Sequence, residues 1–193
     1  MVSVKSYIEP PVCEKEILRY AGCKSADDVL LQLLRVCVDE VRPRLSYKVC
    51  WIELPLIIME NICDFGCMRI QSKDLVKNLQ GCETVILFGA TVGVEMDRLI
   101  GKYSRISPTK AVLLQAIGAE RIEALCDVFC KEIEKEKKLH PRFSPGYGDL
   151  PLETQREIFQ VLNCSKEIGL SLNESLLMSP TKSVTAFVGI EEV

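Results

Sequence analysis

The sequence predicts an α+β fold, in which helices flank an antiparallel, twisted β-sheet. Segments with helical and strand periodicity alternate along the chain, yet the short strands pair like hairpins and do not repeat as βαβ units. The 193 residues, 48% of them hydrophobic and 26% charged, suffice to bury a substantial core. No repeat, low-complexity tract or linker interrupts them. We therefore expect one unit over residues 1–193.

The first third of the chain predicts one helix and two strands. Apolar side chains recur with a helical period over residues 26–42, and Pro43 ends the pattern. Residues 47–53 and 57–61 are short runs rich in β-branched side chains, which is typical of strands.

The middle of the chain predicts a short helix, a strand and two longer helices. Ser72 can cap a helix that runs to Asn78. The apolar run over residues 85–89 predicts a buried strand. Residues 92–103 and 108–138 then follow a helical pattern.

Glycines raise two questions about these elements. Gly118 is expected to bend or break the long helix. The segment over residues 89–93 joins a strand to a helix, but it lacks the Gly-Lys-Ser/Thr of a phosphate loop, so a structural turn is predicted. Alternatively, it closes one wall of a ligand groove. Farther on, an amphipathic helix over residues 152–163 and a final strand over residues 184–189 complete the prediction.

Charge and targeting signals exclude several classes of protein. The formal net charge is −3, and no basic run interleaved with aromatic residues suggests nucleic-acid binding. The first nine residues lack the apolar centre of a signal peptide. No apolar run reaches the roughly 18 residues that a membrane helix needs. A cytoplasmic protein without membrane contact is expected.

The ten cysteines are spread over a chain without a targeting segment, so we expect mostly reduced thiols in the core. Cys63 and Cys67 are four residues apart, as are Cys126 and Cys130. The second pair falls in a helical pattern, and two cysteines at this spacing on a helix could bind one metal ion. However, no Cys-x2-Cys occurs and His140 is the only histidine, so no metal site is expected. The single histidine also argues against a Ser/His/Asp or Cys/His catalytic set.

The segment Arg-Phe-Ser-Pro-Gly-Tyr at residues 142–147 has the properties of a ligand-holding loop. Arg142 offers a planar fork of donors for a carboxylate, and Pro145 biases Ser144 toward extended geometry. Gly146 lets a planar base approach the backbone, and Tyr147 adds an aromatic face and a hydroxyl. The alternative is a tight Pro-Gly turn with a solvated arginine.

A second segment shares this irregular character and carries a family resemblance. It runs Ile-Gly-Leu-x-Leu-x-Glu-Ser-x-x-Met-x-Pro-x-x-Ser-Val over residues 168–184. Together with the loop at residues 142–147, it resembles the activation domain of cobalamin-dependent methionine synthase, whose segments are similar to Arg-Pro-Ala-Pro-Gly-Tyr and Leu-Thr-Glu-Ser-x-x-Met-x-Pro-x-x-Ser-Val. The resemblance extends, more loosely, over residues 7–190.

The resemblance implies a function in cobalamin repair. The family domain binds S-adenosylmethionine over a corrinoid whose cobalt has been oxidised to Co(II). The chemistry belongs to the two cofactors, so no catalytic residue is expected. The implied partners are a cobalamin-dependent methionine synthase that meets this chain in trans through its corrinoid domain, and a flavodoxin-type electron donor.

The resemblance also assigns roles to individual residues. Arg142 matches the arginine that contacts the methionyl carboxylate. Ser144, with Pro145 and Gly146, contributes backbone groups to the adenine, and Tyr147 lies near the cofactor. Glu123 matches a glutamate that balances the sulfonium charge; the alternative is a surface helix carboxylate.

The remaining family residues leave open questions. Glu174 and Ser175 belong to the cofactor-site motif, or else they fix the loop through side-chain-to-backbone bonds. An aspartate of the fused family domain has no counterpart around Val4 to Tyr7, and tyrosines beyond the Ser-Val segment have none before Val193. A weakened cofactor affinity is therefore expected.

Two other classes of function stay open. One is a non-catalytic capping or interaction module for another corrinoid protein, which the missing contacts favour. The other is an ordinary methyltransferase that uses the same donor, which the lack of a glycine-rich loop on a parallel sheet opposes. Corrinoid-dependent reduction separates the first from the main hypothesis, and methylation of a small molecule without corrinoid would identify the second.

Overall fold

The computed structural model describes residues 1–191, so Glu192 and Val193 of the predicted unit lie outside the described residues. The strands are β1 Ser3–Tyr7, β2 Tyr47–Pro55, β3 Ile57–Met59, β4 Ile62–Asp64, β5 Arg69–Gln71, β6 Cys82–Thr91, β7 Lys138–Leu139, β8 Ser171–Leu172, β9 Met178–Ser179 and β10 Ser183–Glu191. The helices are α1 Glu14–Tyr20, α2 Asp28–Val41, α3 Lys73–Asn78, α4 Glu95–Ile106, α5 Pro108–Ile133, α6 Gln155–Leu162 and α7 Cys164–Glu167.

A five-stranded sheet in the order β1-β2-β6-β10-β7 forms the centre of the molecule. Three short strands, β3 to β5, form a second sheet, and β8 with β9 forms a hairpin. Every strand pairing within residues 1–191 is antiparallel. The predicted α+β class with an antiparallel sheet is confirmed.

Apolar cores cover both faces of the central sheet. On one face, Phe88 packs against Phe129 of α5, with ring centroids 5.0 Å apart, and α1, α2 and α4 complete this layer. On the other face, Phe187 stacks on Phe65 at 5.1 Å, and α3, α6 and α7 contribute apolar side chains. The strands β6 and β10 therefore read as nearly continuous buried runs, because both of their faces are covered.

Local signals account for several element boundaries. The Asp27 side chain accepts a hydrogen bond from the Leu30 N–H at 2.8 Å and begins α2. Ser72 caps α3 as predicted, with Oγ 3.0 Å from the Leu75 nitrogen. Glu60, at φ 53°, makes the turn between β3 and β4, so the predicted strand over residues 57–61 ends at Met59.

The long helix α5 differs from its prediction in two ways. It runs through Gly118 without a break, and a Cβ placed there would lie 2.8 Å from Cε of Lys182. The glycine thus makes room for the aliphatic part of that lysine. The helix ends at Ile133, not residue 138, because Leu139 pairs with Ile190 at the edge of the central sheet.

Two N-terminal elements were not predicted. The edge strand β1 has four exposed residues out of five, so no alternation of apolar side chains marks it. The seven-residue helix α1 buries only Ile17. Six of the ten cysteines are buried, and all ten are free thiols. Among the described residues, the structure contains no helix that is long and apolar enough to cross a membrane.

Candidate functional site

The loop that carries Arg142 begins as an addition to the edge of β10. Phe143 and Phe187 exchange two backbone hydrogen bonds, with N to O distances of 2.9 and 2.8 Å. Pro145 has no N–H with which to continue this pairing, so the chain leaves the strand edge. It then turns, with Gly146 at φ 90° and its N–H donating to the Leu150 carbonyl at 2.9 Å. The predicted turn therefore opens a gap beside β10.

The far side of the loop is fixed to the N-terminus of α3. Asp149 accepts hydrogen bonds from the Ser72 hydroxyl and from the backbone N–H groups of Lys73 at 2.8 Å and Asp74 at 3.2 Å. In return, the Asp149 N–H donates to the Asp74 carboxylate at 3.1 Å. These bonds hold the pKa of Asp149 below its ordinary value, and the hydrogen bond from the Ser72 hydroxyl has the largest effect. Gly148 is required beside them, because a Cβ there would lie 2.2 Å from Asp74 Oδ2.

The guanidinium of Arg142 lies between two carboxylates of α5. Its Nη2 donates to Glu123 at 2.9 Å, and its Nη1 donates to Asp127 at 2.7 Å. Burial by itself would lower the pKa of Arg142, but the hydrogen bond to Asp127 and nearby charge raise it above the ordinary value. The side chain remains 27% exposed. Because these contacts use two of its five N–H groups, donors remain for a further acceptor.

A cleft of about 380 Å³ lies beside this ion-pair group. It brings together five of the predicted site residues, namely Glu123, Arg142, Ser144, Pro145 and Tyr147. It also contains residues that were not predicted as ligand contacts, namely Gln155, Met178, Ser183, Val184 and Thr185. The volume falls within the range of small-molecule sites, roughly 300–1,000 Å³.

The other predicted site residues lie away from the lining of this cleft. Gly146 shapes the loop, whereas Glu174 and Ser175 are exposed on the hairpin that joins β8 to β9. There Asn173 accepts from the Leu177 N–H at 2.9 Å, and the Glu174 carbonyl accepts from Arg156 at 3.1 Å. The hairpin nevertheless places Met178 in the lining of the cleft. The ligand roles of Gly146, Glu174 and Ser175 stay predictions.

The N-terminal segment is tied to α5 by hydrogen bonds to a buried ion pair within that helix. Arg121 and Glu120 are 1% and 4% exposed, and Arg121 Nε donates to Glu120 at 2.5 Å. Arg121 also donates to the carbonyls of Pro10 at 2.6 Å and Pro11 at 2.7 Å. A second cleft of about 410 Å³ between this segment, α1 and α5 shares Glu123 and Asp127 with the group around Arg142. The strand β1 contacts α5 farther along the helix, where Lys5 and Tyr7 donate hydrogen bonds to Glu132.

Sequence signals existed for some of the missed residues. Asp127 follows Glu123 by one helical turn, so the helical pattern already puts both carboxylates on the same face of α5. Gln155 stands on the same stripe of α6 as the buried Ile158 and Leu162, so a polar side chain on an apolar face was the only hint. Within residues 1–191, no group of three or more His, Cys, Asp or Glu side chains could hold a metal ion.

Comparisons with known proteins agree with this fold. Residues 67–192 match the family described as "Vitamin B12 dependent methionine synthase, activation domain". The fold is similar to that in "Crystal Structure of the MetH Reactivation Domain bound to AdoHcy", with a TM-score of 0.72 and 13% sequence identity. The superposition covers 98% of this chain and 78% of that one. None of the curated proteins matches the chain. With its matched segment spanning both the Arg142 loop and the strand that borders the cleft, the chain belongs to the family of vitamin B12 dependent methionine synthase activation domains.

Proposed function

We propose that this protein binds S-adenosylmethionine in the Arg142 cleft and supports the reductive remethylation of Co(II)-cobalamin. The cobalamin is carried in trans by the corrinoid domain of a cobalamin-dependent methionine synthase, in the cytoplasm, and a flavodoxin-type protein donates the electron. The bound cofactors supply the methyl group and its acceptor, while residues 1–193 act as one unit that positions them.

The observation that carries the proposal is the arrangement of Arg142 and Glu123 at the cleft. S-adenosylmethionine has a carboxylate, an ammonium and a sulfonium at one end. The free N–H groups of Arg142 suit the carboxylate, and Glu123 offers a carboxylate to the cationic groups. The hydrogen bond from Arg142 to Asp127 keeps the guanidinium oriented when Glu123 turns toward the ligand.

Further support comes from the wall formed by the loop. Pro145 is buried, and Tyr147 is 67% exposed with its ring centroid 6.5 Å from that of Phe143, so a largely exposed aromatic ring lies beside a rigid turn. The MetH structure of similar fold holds AdoHcy, which is the demethylated form of the same ligand. The cleft thus offers charged, neutral and aromatic groups to a molecule that has all three kinds.

Calorimetric titration of S-adenosylmethionine and S-adenosylhomocysteine tests the binding step. Replacing Arg142 by Ala removes a charge-assisted contact and should weaken binding by roughly tenfold to a hundredfold. Arg98→Ala is the matched control, since Arg98 is 69% exposed and, among residues 1–191, forms its ion pair with Glu95 on α4. It should bind like the wild type.

The second step is tested with a Co(II)-cobalamin methionine synthase from which the activation domain has been deleted. With S-adenosylmethionine and reduced flavodoxin, the wild-type chain should restore the methylcobalamin absorption spectrum, and Arg142→Ala should do so more slowly. Ligand binding without methylcobalamin formation would instead favour the capping module. Methylation of a small molecule without corrinoid would identify a methyltransferase, and the absence of binding would remove the cofactor claim.

A further inference from the structure

Two buried polar atoms at the cleft have no hydrogen-bond partner among the described residues. They are Oε1 of Gln155 and Oγ1 of Thr185, whose residues are 5% and 2% exposed. Both residues line the same cleft as Arg142. A buried polar atom without a partner destabilises the free protein, so its presence on a cleft wall indicates a group that is completed by a ligand.

These two atoms lie on the opposite face of the sheet from the ion pairs. Val184 packs with the core on the α5 side, whereas Phe187 belongs to the core on the α6 side. Since side chains alternate along a strand, Thr185 faces the α6 side with Phe187. Gln155 begins α6 and shares its buried stripe. The cleft therefore crosses the edge of β10, with charged groups at one end and neutral polar groups at the other.

The backbone of β10 adds to the neutral end. Phe187 directs its N–H and C=O toward Phe143, away from β6. In an antiparallel pair these directions alternate, so the N–H and C=O of Thr185 point to the same outer edge. Pro145, which comes two residues after Phe143, has no N–H to pair with them. The neutral end thus presents one backbone donor and one backbone acceptor beside the two side-chain oxygens.

We propose that Gln155 and Thr185 determine specificity for the amine-bearing purine of the ligand. The inference rests on the proposed function for its ligand, in which this purine is adenine. The exocyclic amine donates to Gln155 Oε1, and the Thr185 hydroxyl and strand edge bind the adjoining ring nitrogens. Arg142 holds the charged end, so the two ends of one molecule are recognised on the two sides of the sheet.

A pair of ligands that differ at the amine provides the test. S-inosylhomocysteine carries a carbonyl where S-adenosylhomocysteine carries the amine, and the two share the methionyl end. The wild type should bind the adenosyl form at least about tenfold more tightly, because the wrong group leaves Gln155 Oε1 without a donor. Gln155→Met and Thr185→Val should reduce that ratio to about twofold. Gln160→Met, on the exposed face of α6, should leave it unchanged.

Stability measurements separate this role from a structural one. Because the replaced atoms have no partners, Gln155→Met and Thr185→Val should unfold without ligand at the same or higher denaturant concentration than the wild type. Thr185→Ser keeps the hydroxyl and should keep the ligand ratio. A wild-type affinity ratio of the two ligands in all variants would overturn the inference. Marked destabilisation of both apolar variants would overturn it as well. Neither result would contradict the proposed function. Absence of binding of either ligand to the wild type would overturn both.

Discussion

The carboxylate of Asp149 caps α3 by accepting a hydrogen bond from the Lys73 N–H at 2.8 Å. This contact joins the Arg142 loop to a helix whose first residue lies 76 residues earlier in the chain. Asp149→Ala removes this acceptor and also the one for the Ser72 hydroxyl. We expect a lower denaturation midpoint and weaker ligand binding, because the loop that carries Arg142 loses its anchor. Chemical denaturation and calorimetry would measure the two effects.

A control for this prediction is Asp39→Ala. Asp39 makes an exposed ion pair with Arg42 at 3.2 Å, and such pairs contribute little to stability. The Asp39 variant should therefore unfold and bind like the wild type. Equal behaviour of the two alanine variants would contradict a special role for the Asp149 cap.

The same cap predicts a pH dependence. The hydrogen bond from Ser72 lowers the pKa of folded Asp149, while the unfolded carboxyl titrates at about 4. The contribution is therefore fully present above about pH 4 and is lost as the pH falls through the folded pKa. In urea titrations across this range, the stability difference between the wild type and Asp149→Asn should shrink on acidification. A difference that stays constant would contradict the assignment.

The buried pair of Arg121 and Glu120 predicts a large effect of a single substitution. Arg121→Met leaves the Glu120 carboxylate buried without its cationic partner and frees the Pro10 and Pro11 carbonyls. Such a change typically costs about 3–5 kcal/mol. Urea denaturation should detect it, and Arg19→Met at the exposed Arg19–Glu16 pair should change little. A small effect at Arg121 would show that the N-terminal segment is held by other contacts.

Extensive apolar burial explains which elements could be predicted from the sequence. The helices α2 and α5 bury apolar side chains at a helical period, whereas the strands β6 and β10 bury nearly continuous apolar runs, and the sequence predicts all four elements. The edge strand β1 leaves four of five residues exposed, so its formation depends on pairing with β2 and leaves no local pattern. The contact between Asp149 and Lys73 likewise depends on the tertiary fold.

The residues of the candidate site also include some that the sequence predicts and some that it does not. Arg142 and Tyr147 stand in a short segment whose residue types already indicate a ligand loop, whereas Glu123 was predicted only from the family resemblance. Gln155 and Thr185 could not be recognised, because a buried polar residue within an apolar pattern does not reveal whether the fold gives it a partner. Only the positions of α6 and the free edge of β10 distinguish the two cases.

The close approach of Gly118 and Lys182 predicts that Gly118→Ala changes the stability of the protein in opposite directions with and without the lysine side chain. A Cβ at Gly118 would lie 2.8 Å from Cε and 2.9 Å from Cγ of Lys182, so Gly118→Ala should destabilise the wild type by displacing that side chain. A Lys182→Ala background removes the three atoms nearest to this Cβ, and Gly118→Ala should then stabilise α5 by about 1 kcal/mol through helix propensity. Gly101→Ala on α4 is the control, since no atom of the described residues outside its own helix backbone and chain neighbours lies within 4 Å of its added Cβ, and it should stabilise both backgrounds equally. A double-mutant cycle by denaturation measures the coupling, and the same sign for Gly118→Ala in both backgrounds would show that Lys182 does not explain the glycine.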